Sequence, residues 1–509
     1  MRQTCDFYWA LRSVHLIPAY LTPAGTDSGL LEKSRYMPHG PGGMAANRPF
    51  LKRLLFSARA ASNGQMPNDL PQTTSRRPNS SWPESLRALR HRNYQLFFAG
   101  QLISLIGTWM DQVAESWLVY RLTGSALLLG TVAFASQIPV FLLAPIGGAL
   151  ADRFDRRKIL IFTQSSMMIL TFMLAWVTLS HRVKIWHIVT LAALTGVVNA
   201  MDLPARQAFV VDMVSRADLV NAIALNSSMF NGARIVGPAL AGIVVAAIGE
   251  GWCFFANGIS FLAVIAGLVM MQMNRPRMAI EGSPLENIIE GFKFVAQSGP
   301  VRAFMLLLGL VSFTAMPYAV LMPLFADKIL HGGAQALGLL MGCSGVGALC
   351  GAVTLAMRKT LKGLSVWVAV SCAGFGVSLL AFSFSRLLWL SAVLLVPTGF
   401  CMMIQMASSN TMIQSMVPDR LRGRVMSVYA MTFMGMAPLG SLLAGSLAHK
   451  LGAPMAVGLG GVVAILGAGL FGSKLSALRP AAREMIIAQQ VAGGDPAQEM
   501  TAPVFSKSN

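Results

Sequence analysis

Long apolar stretches separated by short polar breaks fill the chain from residue 94 to residue 473. A helix that crosses a bilayer needs about 20 mostly apolar residues, and each stretch can supply one. The pattern therefore predicts an all-α membrane protein with twelve transmembrane helices. We place them at residues 94–120, 125–150, 158–180, 185–203, 218–248, 252–273, 302–326, 335–357, 363–384, 386–407, 422–449 and 453–473.

The segments outside these spans have a different composition. Residues 1–81 are rich in Pro, Ser, Asn and Arg without helical periodicity, which predicts a disordered cytoplasmic extension. We expect residues 1–65 to contribute nothing to the fold, and expression from Met66 to restore full function. Six-helix bundles are predicted at 82–273 and 302–473, followed by a cytoplasmic tail at 474–509. The linker at 274–301 is predicted to form an amphipathic surface helix, because apolar residues recur there at helical spacing, namely Leu285, Ile288, Ile289, Phe292 and Val295.

Positive charge alternates between the two sides of the predicted membrane region. The segment before the first span and the even-numbered loops are basic, whereas the odd-numbered loops carry only Arg121, Arg182 with Lys184, Lys328, Arg386 and Lys450. Cytoplasmic loops carry the excess of Lys and Arg. We therefore predict that both termini are cytoplasmic in a multi-pass protein of a bacterial inner membrane.

Composition narrows the class of protein further. The net charge is +19, but only 12% of the 509 residues are charged and the mean hydropathy is +0.59. The basic residues lie in loops between apolar runs, which argues against nucleic acid as a partner. The six cysteines form no CxxC motif and the seven histidines are scattered, so we predict no cofactor, no metal site and no enzymatic activity.

The two halves of the membrane region look duplicated. Several dipeptides recur at a shared offset of 203 positions, including Thr195-Gly196 with Thr398-Gly399 and Ala241-Gly242 with Ala444-Gly445. Paired halves of this kind are typical of secondary transporters, whose substrate site lies between the halves near the bilayer midplane.

Two motifs resemble signatures of the major facilitator superfamily. The loop after the second span contains Gly148, Asp152, Arg153 and Arg156 in the pattern G-x-L-x-D-R-x-G-R, with Asp155 in place of the usual Gly. The resemblance implies a conformational latch in which Asp152 faces the eleventh helix and Arg156 pairs with Asp202 at the end of the fourth span. The fifth span carries Gly237, Pro238 and Gly242, and this segment is similar to the antiporter signature.

The region from about residue 82 to residue 475 as a whole resembles one branch of that superfamily, the transmembrane secretion effector family. This branch contains the enterobactin exporter and macrolide-efflux proteins. The resemblance implies the major facilitator fold with two six-helix pseudo-repeats, and proton-coupled efflux by alternating access. The implied partners are a small amphipathic or siderophore-like substrate, protons and the lipid bilayer, and the chain is expected to be monomeric. Uptake, lipid flipping and a non-transporting sensor remain alternatives.

Ionisable residues within spans are functional candidates, because a charge in the membrane interior is costly. Asp111 and Glu115 lie one helical turn apart in the first span, and Arg234 lies at a similar depth in the fifth. We expect Arg234 to pair with these acids, either as a structural ion pair or as a proton-coupling site. Weaker candidates for a substrate cavity are Asn199, Asn257, Tyr318, Gln405 and Met406.

Overall fold

A computed structural model describes residues 84–215, 217–272, 284–358 and 360–493. The predicted disordered extension lies outside the described residues. Within them the chain forms helices and connecting turns, with no strand. A short 3-10 segment, Glu84–Arg90, precedes twelve long helices. These are α1 (Arg92–Thr123), α2 (Ala126–Arg153), α3 (Arg156–Leu179), α4 (Ile185–Met213), α5 (Leu219–Ile248), α6 (Glu250–Met270), α7 (Gly299–Thr314), α8 (Gly333–Ala356), α9 (Leu364–Phe384), α10 (Leu388–Met416), α11 (Asp419–Leu451) and α12 (Ala453–Gly493).

The all-α prediction and the number of long helices are confirmed. In the described part of the chain, eleven helices are both long and apolar enough to cross a membrane. The remaining one, α1, has 32 residues, so its length suffices, but its polar side chains reduce its hydropathy. Those side chains include the two acids Asp111 and Glu115.

Four helices differ clearly from the predicted spans. The tenth ends at Met416 rather than at residue 407. The fourth ends at Met213 rather than at residue 203, because Pro204 lies inside the helix instead of ending it. The last continues as one helix to Gly493. The seventh breaks after Thr314 into a 3-10 segment, Met316–Leu321, and a π-helical turn, Phe325–Ile329, since Pro317 and Pro323 interrupt the α-helical hydrogen-bond ladder.

The two halves repeat one packing plan, as the duplicated sequence predicts. In the first half α2 packs on α4, and α6 packs on α1 and α3; in the second half α8 packs on α10, and α12 packs on α7 and α9. The related glycines Gly196 and Gly399 both approach a backbone carbonyl, that of Ser136 on α2 and that of Ser344 on α8. Their lack of a side chain permits this close contact in each half.

Two glycine crossings join the halves at the end of the bundle where α1 ends, which we call the closed end. A Cβ at Gly338 on α8 would lie 2.5 Å from the Pro238 carbonyl oxygen and 2.9 Å from the Gly242 Cα on α5. The pseudo-symmetric crossing brings Gly445 on α11 against Gly130 on α2, where an added Cβ at Gly445 would lie 3.0 Å from the Gly130 Cα.

Polar contacts reinforce the closed end. The Tyr120 hydroxyl donates a hydrogen bond of 2.6 Å to Asp327, and the Lys328 ammonium donates one of 3.2 Å to the Gly124 carbonyl oxygen. Tyr120 belongs to the first half, whereas Asp327 and Lys328 belong to the second. The closed end is therefore held by backbone packing together with interhalf hydrogen bonds.

The predicted amphipathic linker helix is present at Pro284–Gln297. It docks on the beginning of α11, where Glu290 forms an ion pair with Arg424 and Gly291 packs on the Arg424 carbonyl oxygen. Ile289 and Phe292 are exposed, as expected for a helix with one apolar face toward a membrane surface.

Candidate functional site

The predicted latch lies at the end of the bundle opposite the closed end. Arg156 forms an ion pair of 2.9 Å with Asp212 and a longer contact of 3.8 Å with Asp152. The predicted pair between Arg156 and Asp202 is wrong. Because α4 runs on to Met213, Asp212 is the acid at the end of the fourth span, and it occupies the place that the sequence analysis assigned to Asp202.

Asp202 has a different environment deeper in the bundle. Its carboxylate is fully buried, accepts hydrogen bonds of 2.7 Å from Thr163 and 2.8 Å from Gln164 on α3, and forms an ion pair with Arg206. Charged and neutral donors thus compensate a carboxylate that would otherwise be costly to bury. These contacts give Asp202 a structural role in joining α3 to α4.

The remaining charged residues of the predicted latch are exposed in this conformation. The Asp152 side chain is 46% exposed, Arg153 is exposed, and a Cβ added at Gly148 would meet nothing within 4 Å. Among the described residues, no hydrogen bond or ion pair joins Asp152 or Arg153 to α11. The predicted contact between this loop and α11 is therefore not made in this conformation, whereas the opposite end of the bundle is closed.

The antiporter-like motif provides two close helix contacts. Gly237 packs against Trp109 and the backbone of α1 within the first half, and Gly242 packs on α8 of the second half. Pro238 lies inside α5, and its carbonyl oxygen is part of the interhalf crossing. The small residues of this motif thus fix α5 between its own half and the other half.

The acids of α1 face α6. Gly107 lies against Asn257 and Ser260 of α6, and the Asn257 amide lies beside Asp111 one turn further along α1. Ser260 donates hydrogen bonds to the backbone and side-chain oxygens of Asn257, which orients that amide. The Oδ1 atom of Asp111 is buried without a hydrogen-bond partner, and Glu115 lies within electrostatic range of Asp111.

Arg234 does not pair with these acids in this structure. Its guanidinium lies over the Trp109 ring, with 5.7 Å between Cζ and the ring centroid. Trp109 and Asp111 are two residues apart, or roughly 200° around α1, so they point to different sides of that helix. The predicted depth of Arg234 brings it next to α1, but on the face opposite Asp111.

The weaker cavity candidates fall into different environments. Tyr318 is buried in the broken part of the seventh span and shares a hydrogen bond of 2.8 Å with Ser344. Gln405 is fully buried with both amide atoms unpartnered, and the Met406 carbonyl oxygen accepts a hydrogen bond of 3.3 Å from Tyr429. Asn199 is half-buried on α4, and Asn257 belongs to the acid site described above.

A cluster around Asp218 was missed by the sequence analysis. This buried carboxylate, in the loop before α5, contacts Arg90 at 2.7 Å and His91 at 2.8 Å, and accepts a hydrogen bond of 2.9 Å from Ser215. Burial alone would raise the pKa of Asp218, but hydrogen bonds from His91, Ser215 and Arg90 outweigh burial and hold that pKa below its ordinary value. The cluster anchors the segment before α1 to the α4–α5 loop.

Comparison with known proteins identifies the family. The sequence profile of the family described as transmembrane secretion effector matches residues 84–501. The staphyloferrin A transporter of Staphylococcus aureus is 30% identical over 353 residues, which are 68% of this chain and 87% of the relative. The multidrug efflux pump Tap of Mycolicibacterium fortuitum is 26% identical, with coverage of 68% and 87%. The enterobactin exporter EntS of Shigella boydii is 24% identical, with coverage of 72% and 88%.

Solved structures agree on the fold. A POT family transporter in complex with 5-aminolevulinic acid superposes with a TM-score of 0.63 at 10% sequence identity, over 76% of this chain and 96% of that chain. Twelve long helices and a packing plan repeated in two halves, observed in the described part of the chain, are the architecture that the sequence predicts. The chain therefore belongs to the transmembrane secretion effector family of the major facilitator superfamily, and it is a multi-pass membrane transporter rather than an enzyme.

Proposed function

We propose that this transporter is a proton-coupled exporter of a small amphipathic, drug-like or siderophore-like molecule. The names of its relatives support this direction and substrate class, because they include an enterobactin exporter, a multidrug efflux pump and a staphyloferrin A transporter. One chain contains both halves of the alternating-access unit, so we propose that it acts as a monomer.

The charge of the loops supports an orientation in a bacterial inner membrane. The predicted latch lies at the end that carries the basic α2–α3 loop, with Arg153, Arg156, Arg157 and Lys158. Positive loops favour the cytoplasm, so this conformation would be open to the cytoplasm and closed to the outside. A periplasm-active reporter fused after residue 480 should be silent.

The observation that carries proton coupling is the acid pair of α1. Three other acids in or at the ends of the described membrane helices have partners: Asp202 has Arg206, Glu250 has Arg121, and Asp327 has Tyr120. Asp111 and Glu115 have no cationic partner among the described residues. Because an uncompensated charge inside a membrane is costly, binding and release of a proton at this pair can accompany the change in access.

The experiment compares three variants in a deletion strain. We first identify the compounds that the deletion strain fails to release into the medium and that wild-type protein restores. The Asp111→Asn variant should not restore them, although it is present in the membrane at the same abundance as wild type. Glu115→Gln should have a weaker effect, because Glu115 lies nearer the end of α1. Asp111→Glu, which keeps an ionisable carboxyl, should retain part of the export and serves as the matched control.

A second measurement separates coupling from stability. In proteoliposomes, the exported compound should drive proton counter-movement through wild-type protein but not through Asp111→Asn, with rates normalised to folded protein. Downhill exchange of the compound should survive in that variant. If Asp111→Asn only lowers protein abundance, and the folded molecules still move protons, the acid pair is structural and the coupling proposal is wrong.

A further inference from the structure

The guanidinium of Arg234 carries a charge inside the membrane region without a counter-ion. Among the described residues it forms no ion pair and no hydrogen bond, and its contact is the face of Trp109. Arg234 is partly buried, so its charge is not fully solvated. A cation in this position requires compensation, which an anionic group of a bound molecule can supply.

An aromatic pair lies on one side of this cation. The Trp109 ring, which lies against the guanidinium, forms an edge-to-face pair with the Phe230 ring, with 5.5 Å between centroids. The Tyr318 hydroxyl, held by its hydrogen bond with Ser344, lies within electrostatic range of the guanidinium. A cationic group and an aromatic pair of the first half thus lie within electrostatic range of a hydroxyl of the second half.

The backbone at this place is irregular. Tyr318 lies in the 3-10 segment that interrupts the seventh span, between Pro317 and Pro323. Non-helical backbone at membrane depth is tolerated where it is buried in protein or lines a cavity, and interrupted helices mark substrate sites in transporters. Arg234 therefore interacts electrostatically with Tyr318, which belongs to a non-helical segment of the kind that marks substrate sites in transporters.

We propose that Arg234 receives an acidic group of the transported molecule, so that the substrate is an organic anion with a carboxylate attached to an aromatic or apolar body. A guanidinium binds a planar carboxylate through two parallel hydrogen bonds, and Trp109 and Phe230 supply a surface for the apolar part. This assignment rests on the proposed transport function and specifies its substrate class. It also assigns separate faces of α1 to substrate and protons.

The test begins with wild-type protein and two matched probes. Equilibrium binding of radiolabelled 1-naphthoate and of the neutral alcohol 1-naphthalenemethanol is measured on the purified full chain at neutral pH. We expect tighter binding of the acid, by about tenfold or more, because the charge-assisted pair is available to the acid alone. Equal affinity for the two probes, or no binding of the acid, overturns the proposal without any variant.

Variants then assign the preference to one side chain. Arg234→Gln should lose the preference for the acid, and Arg234→Lys should keep a smaller one, because lysine retains the charge without the planar fork. Asp111→Asn is the control and should keep the full preference even where proton coupling is lost. An unchanged preference in Arg234→Gln overturns the assignment, and so does its loss in Asp111→Asn. If Arg234→Gln does not fold, the outcome depends on Arg234→Lys. A preference of that variant for 1-naphthoate over the alcohol that is as large as in wild type overturns the proposal.

Discussion

The glycine crossing between α5 and α8 gives the sharpest prediction. Gly338→Ala would place a methyl group 2.5 Å from the Pro238 carbonyl oxygen and 2.9 Å from the Gly242 Cα, where ordinary contacts lie at 3.4–4 Å. Both neighbours are backbone atoms, which cannot turn aside as a side chain can. The methyl group therefore has to separate α8 from α5 at the closed end.

The size of the effect follows from these distances. The backbones would have to move apart by roughly half an ångström or more, and overpacking of this kind costs about 1–3 kcal/mol. That cost falls on the conformation in which the crossing is closed, and it corresponds to a shift of about 5- to 150-fold in the ratio of closed to open molecules. We expect Gly338→Ala to favour opening of this end.

Distances between spin labels can measure this shift. Labels at Leu127 on α2 and Leu451 on α11, in a background without the six native cysteines, report the separation of the halves at the closed end. Gly342→Ala is the matched control, because its added Cβ would meet only the Ile235 carbonyl oxygen, at 3.9 Å. Gly338→Ala should increase the population at long distances, whereas the control should match wild type.

The pseudo-symmetric crossing provides an independent check. A Cβ at Gly445 would lie 2.7 Å from the Ala126 carbonyl oxygen, so Gly445→Ala should shift the distances in the same direction. If Gly338→Ala and Gly342→Ala give the same distance distribution and the same thermal stability, the crossing does not limit opening. The reasoning from backbone contact would then be refuted.

Three further predictions concern acidic groups and their partners. Asp202→Asn should lower the free energy of unfolding by about 3–5 kcal/mol, because it breaks a buried ion pair and leaves Arg206 without its counter-ion. Asp152→Asn should leave thermal stability unchanged and alter only the transport rate. Equal losses of stability in the two variants would contradict this prediction. Asp218→Asn should destabilise the protein by about 2 kcal/mol or more. Because the folded-state pKa of Asp218 is lowered, the extra stability of wild type over this variant should be complete above about pH 5 and disappear as the pH falls below about 4. If thermal melts give the same difference in stability at pH 3 and at pH 7, the role of the cluster is refuted. Tyr120→Phe removes the hydroxyl that donates a hydrogen bond to Asp327. The loss of about 0.5–1.5 kcal/mol should raise the ratio of open to closed molecules at the spin-labelled end by roughly 2- to 12-fold. An unchanged distance distribution would count against this contact.

Hydropathy alone predicts most of the fold. A segment that crosses lipid must form its backbone hydrogen bonds within a helix, and its side chains toward lipid are apolar, so each span is visible in the sequence as an apolar run. Helix ends are harder to predict. Asp202 and Pro204 suggest the end of the fourth span, but three hydrogen-bonding partners compensate the carboxylate and the helix continues for nearly three more turns. The break near Tyr318 was predictable from Pro317 and Pro323, which the hydropathy pattern hides within an apolar run.

The candidate site shows what spacing along a chain can and cannot predict. Spacing predicts depth in the membrane, and it correctly predicts that Arg234 lies beside the middle part of α1. It does not give the rotation of one helix against another, which decides that Arg234 meets Trp109 while Asp111 meets Asn257. That rotation is set by contacts such as Gly237 on Trp109 and Gly107 on Asn257, which join residues far apart in the sequence.

The length of α12 has a practical consequence for imaging. Its 41 residues extend about 62 Å, roughly twice the hydrocarbon core of a bilayer, and Ser298 contacts Met485 near its far end. The described part of the chain has little mass outside the membrane helices, so it offers few features for aligning particles in electron cryomicroscopy. A rigid fiducial domain joined in helical register after Gly493 would continue α12 and report the orientation of the second half directly.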